Sequence, residues 1–203
     1  MFGCIKLKFG EIATIVRGAS PRPICNFITK NKDGVNWIKI GDIEQGNKYV
    51  TSCKEKITKD GAKKSRYVKK GDFILSNSMS FGRPYILQID GCIHDGWLAI
   101  SEFDKFVISD YLYYLLNSSE IQRDMEQKAS NGGAVSNLNA DIVKNIDLTI
   151  PSLERQQEIV EILDSFDEYI NSMTSGHKGE IEKNRERYEY YRDKLLTFER
   201  KVS

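Results

Sequence analysis

The chain has 203 residues, 40% of them hydrophobic, and its 30 basic and 29 acidic residues leave a net charge of +1. This length allows one domain plus an appendage, or two small domains. No apolar run is long enough to cross a membrane, and the first residues lack the hydrophobic segment of a signal peptide, so we expect a cytoplasmic protein. Four scattered cysteines without a CxxC pair, and only two histidines, argue against a zinc site and a disulfide framework.

The N-terminal part predicts short strands joined by loops. Residues 9–16 predict a helical turn that runs into a strand, and residues 35–44 and 48–53 predict two more strands. The loop 17–26 contains Pro21 and Pro23, so it cannot join a central strand, because proline lacks the amide donor. The stretch 54–70 is the most basic of the chain, with eight lysines and arginines against two acids.

The middle of the chain alternates apolar runs with glycine-containing turns, and then becomes helical. Residues 73–76, 84–89, 91–94 and 97–101 predict strands. Residues 109–129 predict two helices, the second capped by Ser119. Asn139 caps a short helix that ends near Lys144, and residues 146–150 predict the last strand. The sequence therefore predicts an α+β class, with a β-rich domain over residues 1–150.

Residues 151–203 predict a long C-terminal α-helical (coiled-coil) arm. Apolar residues recur at steps of three and four, which is the spacing of a coiled-coil seam. Gly176 and Gly179 interrupt it and predict a turn between two helices. Residues 152–173 carry six acids and one arginine, whereas 178–203 carry eight bases and six acids. The arm either packs on its own domain as an amphipathic hairpin or associates with another copy or a partner. We favour association, because the arm is long for a chain of this size. The candidate dimerisation residues are Ile159, Leu163, Phe166, Ile170, Met173, Ile181, Tyr188, Tyr191, Leu195 and Phe198.

The sequence contains none of the catalytic motifs that we sought. It has no Asn/Asp-Pro-Pro-aromatic tetrapeptide, no GxxxxGK[ST] phosphate loop, no GxGxxG and no GxSxG elbow. His94 is interpreted as a surface turn residue, and no metal site is predicted. We therefore expect a chain without catalytic activity.

Basic side chains among serine, asparagine and glycine suit a nucleic-acid backbone, where charge supplies affinity and polar groups supply geometry. Among the candidate residues named below, the asparagines and serines are candidates for contacts to base edges. For each single residue, the alternative is a solvated side chain with no ligand. The candidate DNA-binding residues are Arg22, Lys30, Lys63, Lys64, Arg66, Lys69, Lys70, Asn77, Ser78, Ser80, Arg83 and Asn131.

Several segments resemble the specificity subunits of type I restriction–modification systems. The similar segments are Gly10–Pro21, Trp37–Ile43, Lys70–Ser76 with Gly82-Arg83, Asn137–Ile142, Ile150–Asp164 and Tyr188–Leu196. They are distributed along nearly the whole chain, and the run Pro151–Leu163 is the most specific. The usual subunit has two recognition domains and two helical spacers, in about twice this length. The chain thus resembles one half of a specificity subunit. It is either a natural half-subunit that dimerises or a fragment of a longer subunit.

The resemblance implies a non-catalytic α+β target-recognition domain (1–150), followed by a helical spacer and dimerisation region (151–203). It implies binding to one half of a bipartite sequence in double-stranded DNA and a homodimer. It also implies modification (methyltransferase) and restriction (motor and endonuclease) subunits as partners. These partners would use S-adenosylmethionine, ATP and magnesium, with no cofactor on this chain. Two alternatives remain: a stand-alone DNA-binding regulator with a coiled-coil dimer, and a protein–protein adaptor.

Overall fold

The computed structural model describes residues 3–43, 46–77, 81–130, 137–172 and 178–197. The strands are β1 (Ile5–Lys8), β2 (Thr14–Arg17), β3 (Ile28–Thr29), β4 (Val35–Ile38), β5 (Tyr49–Val50), β6 (Glu55–Ile57), β7 (Arg66–Val68), β8 (Phe73–Ser76), β9 (Pro84–Leu87), β10 (Gly91–Ile93), β11 (Trp97–Ser101) and β12 (Asp147–Ile150). The helices are α1 (Phe9–Ile12), α2 (Lys59–Ala62), α3 (Ser109–Leu116), α4 (Ser119–Ser130), α5 (Ala140–Lys144), α6 (Leu153–Ser172) and α7 (Lys178–Leu196).

Two five-stranded sheets form the centre of the molecule, in the orders β2-β11-β8-β9-β5 and β3-β6-β4-β10-β7. Strand β8 shows how the first sheet is used, because its successive side chains point to opposite faces. Phe73 and Leu75 face a core shared with the helices, whereas Ile74 faces a core shared with the second sheet. Both faces of the strand are covered, which explains why it reads as a continuous apolar run.

The helices cover the outer face of the first sheet. Residues from α3, α4 and α5, among them Tyr111, Leu112, Met125 and Val143, are buried in one core with that face. Strands β1 and β12 pair antiparallel as a separate ribbon. This ribbon brings the first strand of the chain beside the segment that enters α6.

Gln156 ties the start of α6 to the β-rich domain. Its side chain is buried, and its amide oxygen accepts a hydrogen bond from the Ile108 amide at 2.8 Å. Its amide nitrogen donates to the carbonyl oxygens of Phe106 and Pro151, each at 3.0 Å. A polar side chain can be buried here because its donors and acceptor are satisfied. The Pro151–Leu163 run, the most specific part of the family resemblance, thus contains a structural anchor.

The structure confirms the α+β class and most of the predicted strands and helices, within small differences at their ends. The strand predicted over 35–44 is shorter than expected, because β4 ends at Ile38 and a 3-10 helix, Ile40–Asp42, follows it. Two further local predictions are wrong. Ser118 caps α4 in place of Ser119, because the Ser118 hydroxyl accepts a hydrogen bond from the Ile121 amide at 3.4 Å. Gly179 does not precede the second helix of the arm but lies in the first turn of α7. Gly176 lies outside the described residues. The domain boundary at 150/151 stays a prediction.

Candidate nucleic-acid interface

An arginine-rich surface forms where β2 ends beside the turn between β10 and β11. Arg17 is the last residue of β2 and pairs with Leu98 of β11. The next residue, Gly18, packs so closely on that turn that an added Cβ would lie 2.1 Å from the carbonyl oxygen of His94. Only glycine fits there, so the loop 17–26 is held tightly against the two sheets.

Asp95 is the centre of this surface. Its backbone carbonyl accepts hydrogen bonds from Arg17 Nε at 3.0 Å and from Asn77 Nδ2 at 2.8 Å. Its carboxylate accepts from Ser20 Oγ at 2.8 Å and from Arg22 Nη2 at 3.1 Å. The Ser20 hydrogen bond, together with the positive charge of Arg22, lowers the pKa of Asp95 below its usual value. The carboxylate is therefore ionised at neutral pH.

Three further predicted residues lie next to this cluster. Arg66 of β7 is exposed and directs Nε to the carbonyl oxygen of Arg17 at 3.4 Å. Lys63 and Lys64 are exposed just before Ser65, whose hydroxyl donates to the carbonyl oxygen of Ala19 at 2.7 Å. The fold thus gathers much of the 54–70 segment beside the loop 17–26.

The remaining predicted lysines and Arg83 lie elsewhere. Lys69 and Lys70 follow the other end of β7, where the Lys70 amide donates to Asp90 Oδ1 at 2.7 Å. Lys30 follows β3, at the opposite edge of the sheet that ends in β7, and strand spacing puts these edges roughly 19 Å apart. Arg83 lines a separate cleft with Arg185 of α7. All four side chains are exposed.

Asn77 is not available to read a base edge. Its residue is only 2% exposed, and its side-chain amide donates to the Asp95 carbonyl. Its own carbonyl accepts from the Leu138 amide at 2.9 Å. This residue supports the Asp95 turn from behind and is removed from the set of candidate DNA contacts. Ser78, Ser80 and Asn131 lie outside the described residues.

His94 is not a surface turn residue, as the sequence indicated, but a half-buried one. Its Nδ1 accepts a hydrogen bond from the Gly96 amide at 2.7 Å, and its ring packs near Trp37 and Trp97. Burial lowers the pKa of His94. The residue therefore shapes the turn that carries Asp95.

Sequence reasoning missed Arg17 and Asp95. Arg17 opens the loop 17–26, so its position beside that loop was a signal in the sequence. Asp95 had no such signal, because its partner Ser20 is 75 residues away and meets it only through the fold.

The helical arm divides into an inner part and an outer stripe. Ile159 and Leu163 are fully buried in the chain's own core, with Leu195 and Tyr188 packed against it. Ile159 and Leu163 therefore cannot contact a second copy, and the prediction that they are dimerisation residues is wrong. The outer stripe is exposed, and within it Phe166 and Tyr191 stack with ring centroids 6.3 Å apart. The outer stripe consists of Ile162, Phe166, Tyr169, Tyr190 and Tyr191.

The rest of the predicted dimerisation set cannot be placed. Met173 and Phe198 lie outside the described residues. The side chains of Ile170 and Ile181 also lie outside the described part of the chain.

A junction cluster of polar side chains separates the inner part from the outer stripe. The Tyr114 hydroxyl donates to Asp164 and lies 2.9 Å from Asp167 Oδ2. Lys48 Nζ lies 2.7 Å from Asp110 Oδ1 and 4.9 Å from the centre of the Tyr114 ring. Burial and these carboxylates raise the pKa of Tyr114 well above its usual value. The cluster joins β5, α3 and α6, and so fixes how the arm leaves the domain.

Within the described ranges, no group of histidine, cysteine, aspartate and glutamate side chains is placed to hold a metal ion. In the same ranges, no helix combines the length and apolarity needed to cross a membrane.

Residues 6–183 match the family model of the type I restriction modification DNA specificity domain. A putative type I restriction enzyme specificity subunit of Haemophilus influenzae is 31% identical over 95% of this chain and 50% of its own length. The chain therefore belongs to the type I restriction–modification specificity family. It spans half the length of that relative.

Solved structures show the same fold. The HsdS subunit from Thermoanaerobacter tengcongensis superposes with a TM-score of 0.64 at 18% identity, over 96% of this chain and 45% of that one. A chain from a structure on complex assembly and conformational transition of the type I R-M system gives a TM-score of 0.68, also at 18% identity. That match covers 97% of this chain and 46% of the other.

Proposed function

We propose that this chain recognises one half of a bipartite DNA target as the specificity subunit of a type I restriction–modification complex. The observation that carries the proposal is the family match over residues 6–183, which contain the arginine-rich surface. Arg17, Arg22 and Arg66 are exposed there, with Lys63 and Lys64 beside them. Exposed cations on one surface are what a phosphate backbone requires.

Two copies pair through the outer stripe in this proposal. In this proposal, these 203 residues supply one recognition domain and a second copy supplies the other, since a two-fold dimer is the commonest homo-oligomer. The 20 residues of α6 span roughly 30 Å, close to the ~34–36 Å between half-sites one DNA turn apart. The acidic 152–173 segment and the basic 178–203 segment complement each other when two arms lie antiparallel.

The catalytic steps belong to partner subunits in this proposal. A modification subunit methylates adenine at N6 with S-adenosylmethionine, and a restriction subunit supplies the ATP- and magnesium-dependent motor and nuclease. The chain docks these subunits and performs no chemistry itself. Purified chain with DNA and labelled S-adenosylmethionine should transfer no methyl group until the modification subunit is added. Transfer by the chain alone would refute the non-catalytic role.

The salt dependence of DNA binding tests the interface directly. Changing Lys63, Lys64 and Arg66 to Ala should weaken binding to all sequences about equally, because phosphates carry no sequence information. The slope of log K against log salt should flatten by roughly 0.9 for each lost contact. Lys105→Ala is the matched control, since Lys105 is exposed outside the arginine-rich surface. Equal slopes for the triple variant and the unmodified chain would contradict the interface.

A further inference from the structure

Arg22 differs from the other exposed cations of the interface, because the carboxylate that pairs with it, Asp95, is itself held by Ser20. Lys63 also has a carboxylate partner, Asp60 at 2.9 Å, but the two residues lie three positions apart and the Asp60 side chain is 78% exposed. We infer that Arg22 reads a guanine in the major groove of the target DNA and that Asp95 is its positioning residue. This inference rests on the proposed function, since it names one base contact of the same surface. Lys63 and Lys64, by contrast, contact phosphate.

The support behind Arg22 is continuous from its guanidinium to the core. Nη2 of Arg22 lies 3.1 Å from Asp95 Oδ2, and the other carboxylate oxygen of Asp95 accepts from Ser20 Oγ at 2.8 Å. The Asp95 carbonyl is held by the buried Asn77 and by Arg17. A carboxylate fixed on both its side chain and its backbone can hold the guanidinium still.

The loop that carries Arg22 is also restrained at the backbone. Pro21 and Pro23 flank the residue, and each proline ring fixes its own φ angle. The amide of Gly18 donates to the Trp97 carbonyl at 2.8 Å, and the Ala19 carbonyl accepts from Ser65 Oγ at 2.7 Å. Contacts made from a restrained loop lose little conformational entropy on binding.

The exposed part of Arg22 suits a base edge. Its side chain is 81% exposed, so the N–H donors not directed to Asp95 face solvent. An arginine can donate two parallel hydrogen bonds to O6 and N7 of guanine, a pattern that no other base pair presents in the major groove. A lysine, as a flexible point charge, cannot reproduce this planar fork. A held, outward-facing guanidinium is thus built for base recognition, whereas the compact ammonium group of a lysine suits phosphates.

The ion pair has little other use in the fold. An exposed ion pair of this kind contributes little to folding stability. Replacing Arg22 should therefore leave the domain folded, so that a change in DNA binding reports on the lost contact and not on unfolding.

The test is a selection from a randomised duplex DNA pool, with sequencing of the bound molecules. The full chain is used, purified with any subunits that accompany it. The unmodified chain should enrich a motif that contains a guanine. Arg22→Lys keeps the charge, and we expect it to reduce the preference for guanine at that position by roughly 5- to 150-fold. The preferences at the other positions and the slope of log K against log salt should stay unchanged.

Two further variants separate positioning from charge. Asp95→Asn should weaken the preference at the same guanine without weakening binding to unrelated DNA, because it removes a negative charge. A merely electrostatic role for Asp95 would leave the base preferences intact. The matched control, Lys63→Ala, should lower affinity for every sequence and keep every base preference.

The outcomes distinguish this inference from the proposed function. If the unmodified chain enriches no sequence, the proposed function fails, and the inference fails with it. If a motif is enriched but Arg22→Lys alters no guanine position, the function stands and the inference is overturned. A preference lost only at an A·T base pair, instead of at a G·C base pair, would overturn it as well.

Discussion

The two halves of α6 carry the same apolar repeat but have different surroundings. In the first half (residues 153–163), Ile159 and Leu163 are fully buried, and the buried Gln156 amide anchors the helix to the domain. In the second half, Phe166 is 38% exposed and contacts Tyr191 of α7. The junction cluster around Tyr114 contacts the start of the second half, through Asp164 and Asp167.

The difference shows that one helix performs two tasks. Burial of the first half makes the arm part of the domain, so the arm leaves the domain in a defined direction. Exposure of the second half leaves an aromatic surface on which another molecule can pack. Variants that affect one half and spare the other are therefore the sharpest tests of this division.

The largest effect is expected from neighbouring residues on opposite faces of α6. Leu163→Ala removes a fully buried side chain and should lower the free energy of unfolding by about 2–5 kcal/mol. Ile162→Ala, at a residue 39% exposed, should lower it by less than about 1 kcal/mol. Urea denaturation measures both. Equal losses would mean that the first half of the helix is not part of the core.

The junction cluster should show the next largest effect. Tyr114→Phe removes the hydroxyl that donates to Asp164 and contacts Asp167, and leaves the carboxylates with one partner fewer. The expected loss of unfolding free energy is about 1–3 kcal/mol. Tyr190→Phe is the control, because Tyr190 is exposed on the outer stripe and should change stability by less than about 0.5 kcal/mol. If Tyr114→Phe lowered the unfolding free energy as little as Tyr190→Phe, the junction cluster would not stabilise the fold.

Alkaline pH should weaken the junction cluster to a smaller degree. The pKa values of Tyr114 and Tyr188 are raised in the folded chain, chiefly by burial and by nearby carboxylates. A raised folded pKa means that stability is complete below the unfolded value of about 10 and decreases as the pH rises above it. Denaturation across that range should show the decrease, with a shallower slope for Tyr114→Phe. An identical slope for this variant would assign the decrease to other groups.

The smallest effect on folding, but a clear one on association, is expected in the outer stripe. Phe166→Asp should change the unfolding free energy by less than about 1 kcal/mol and weaken self-association by about tenfold or more. Ser165→Asp, at the exposed neighbouring residue, adds the same charge and should leave association unchanged. Analytical ultracentrifugation measures both. An unmodified chain that is monomeric at micromolar concentration would refute the dimer.

Much of the fold could be predicted from local sequence. The runs at 73–76 and 97–101 became β8 and β11 with the predicted bounds, because short apolar runs between turns specify strands. Asn139 caps α5 as predicted, since its side chain accepts from the Ile142 amide at 2.9 Å. The basic residues of the interface were also visible, because charge is a property of composition.

What the sequence could not supply were contacts between distant residues. Arg22 was one candidate among equal cations until the β2–β11 pairing brought Asp95 to it. Asn77 looked like a polar loop residue, yet the fold turns its amide inward to the Asp95 carbonyl.

The sequence by itself determined the elements, their amphipathic faces and the family, because each depends on residues close together or on a local motif. Only the tertiary structure decided which faces are covered. Leu163 and Phe166 are successive apolar positions of one repeat, yet Leu163 is fully buried and Phe166 is 38% exposed. Burial depends on what lies opposite a side chain, and that neighbour is set by long-range pairing.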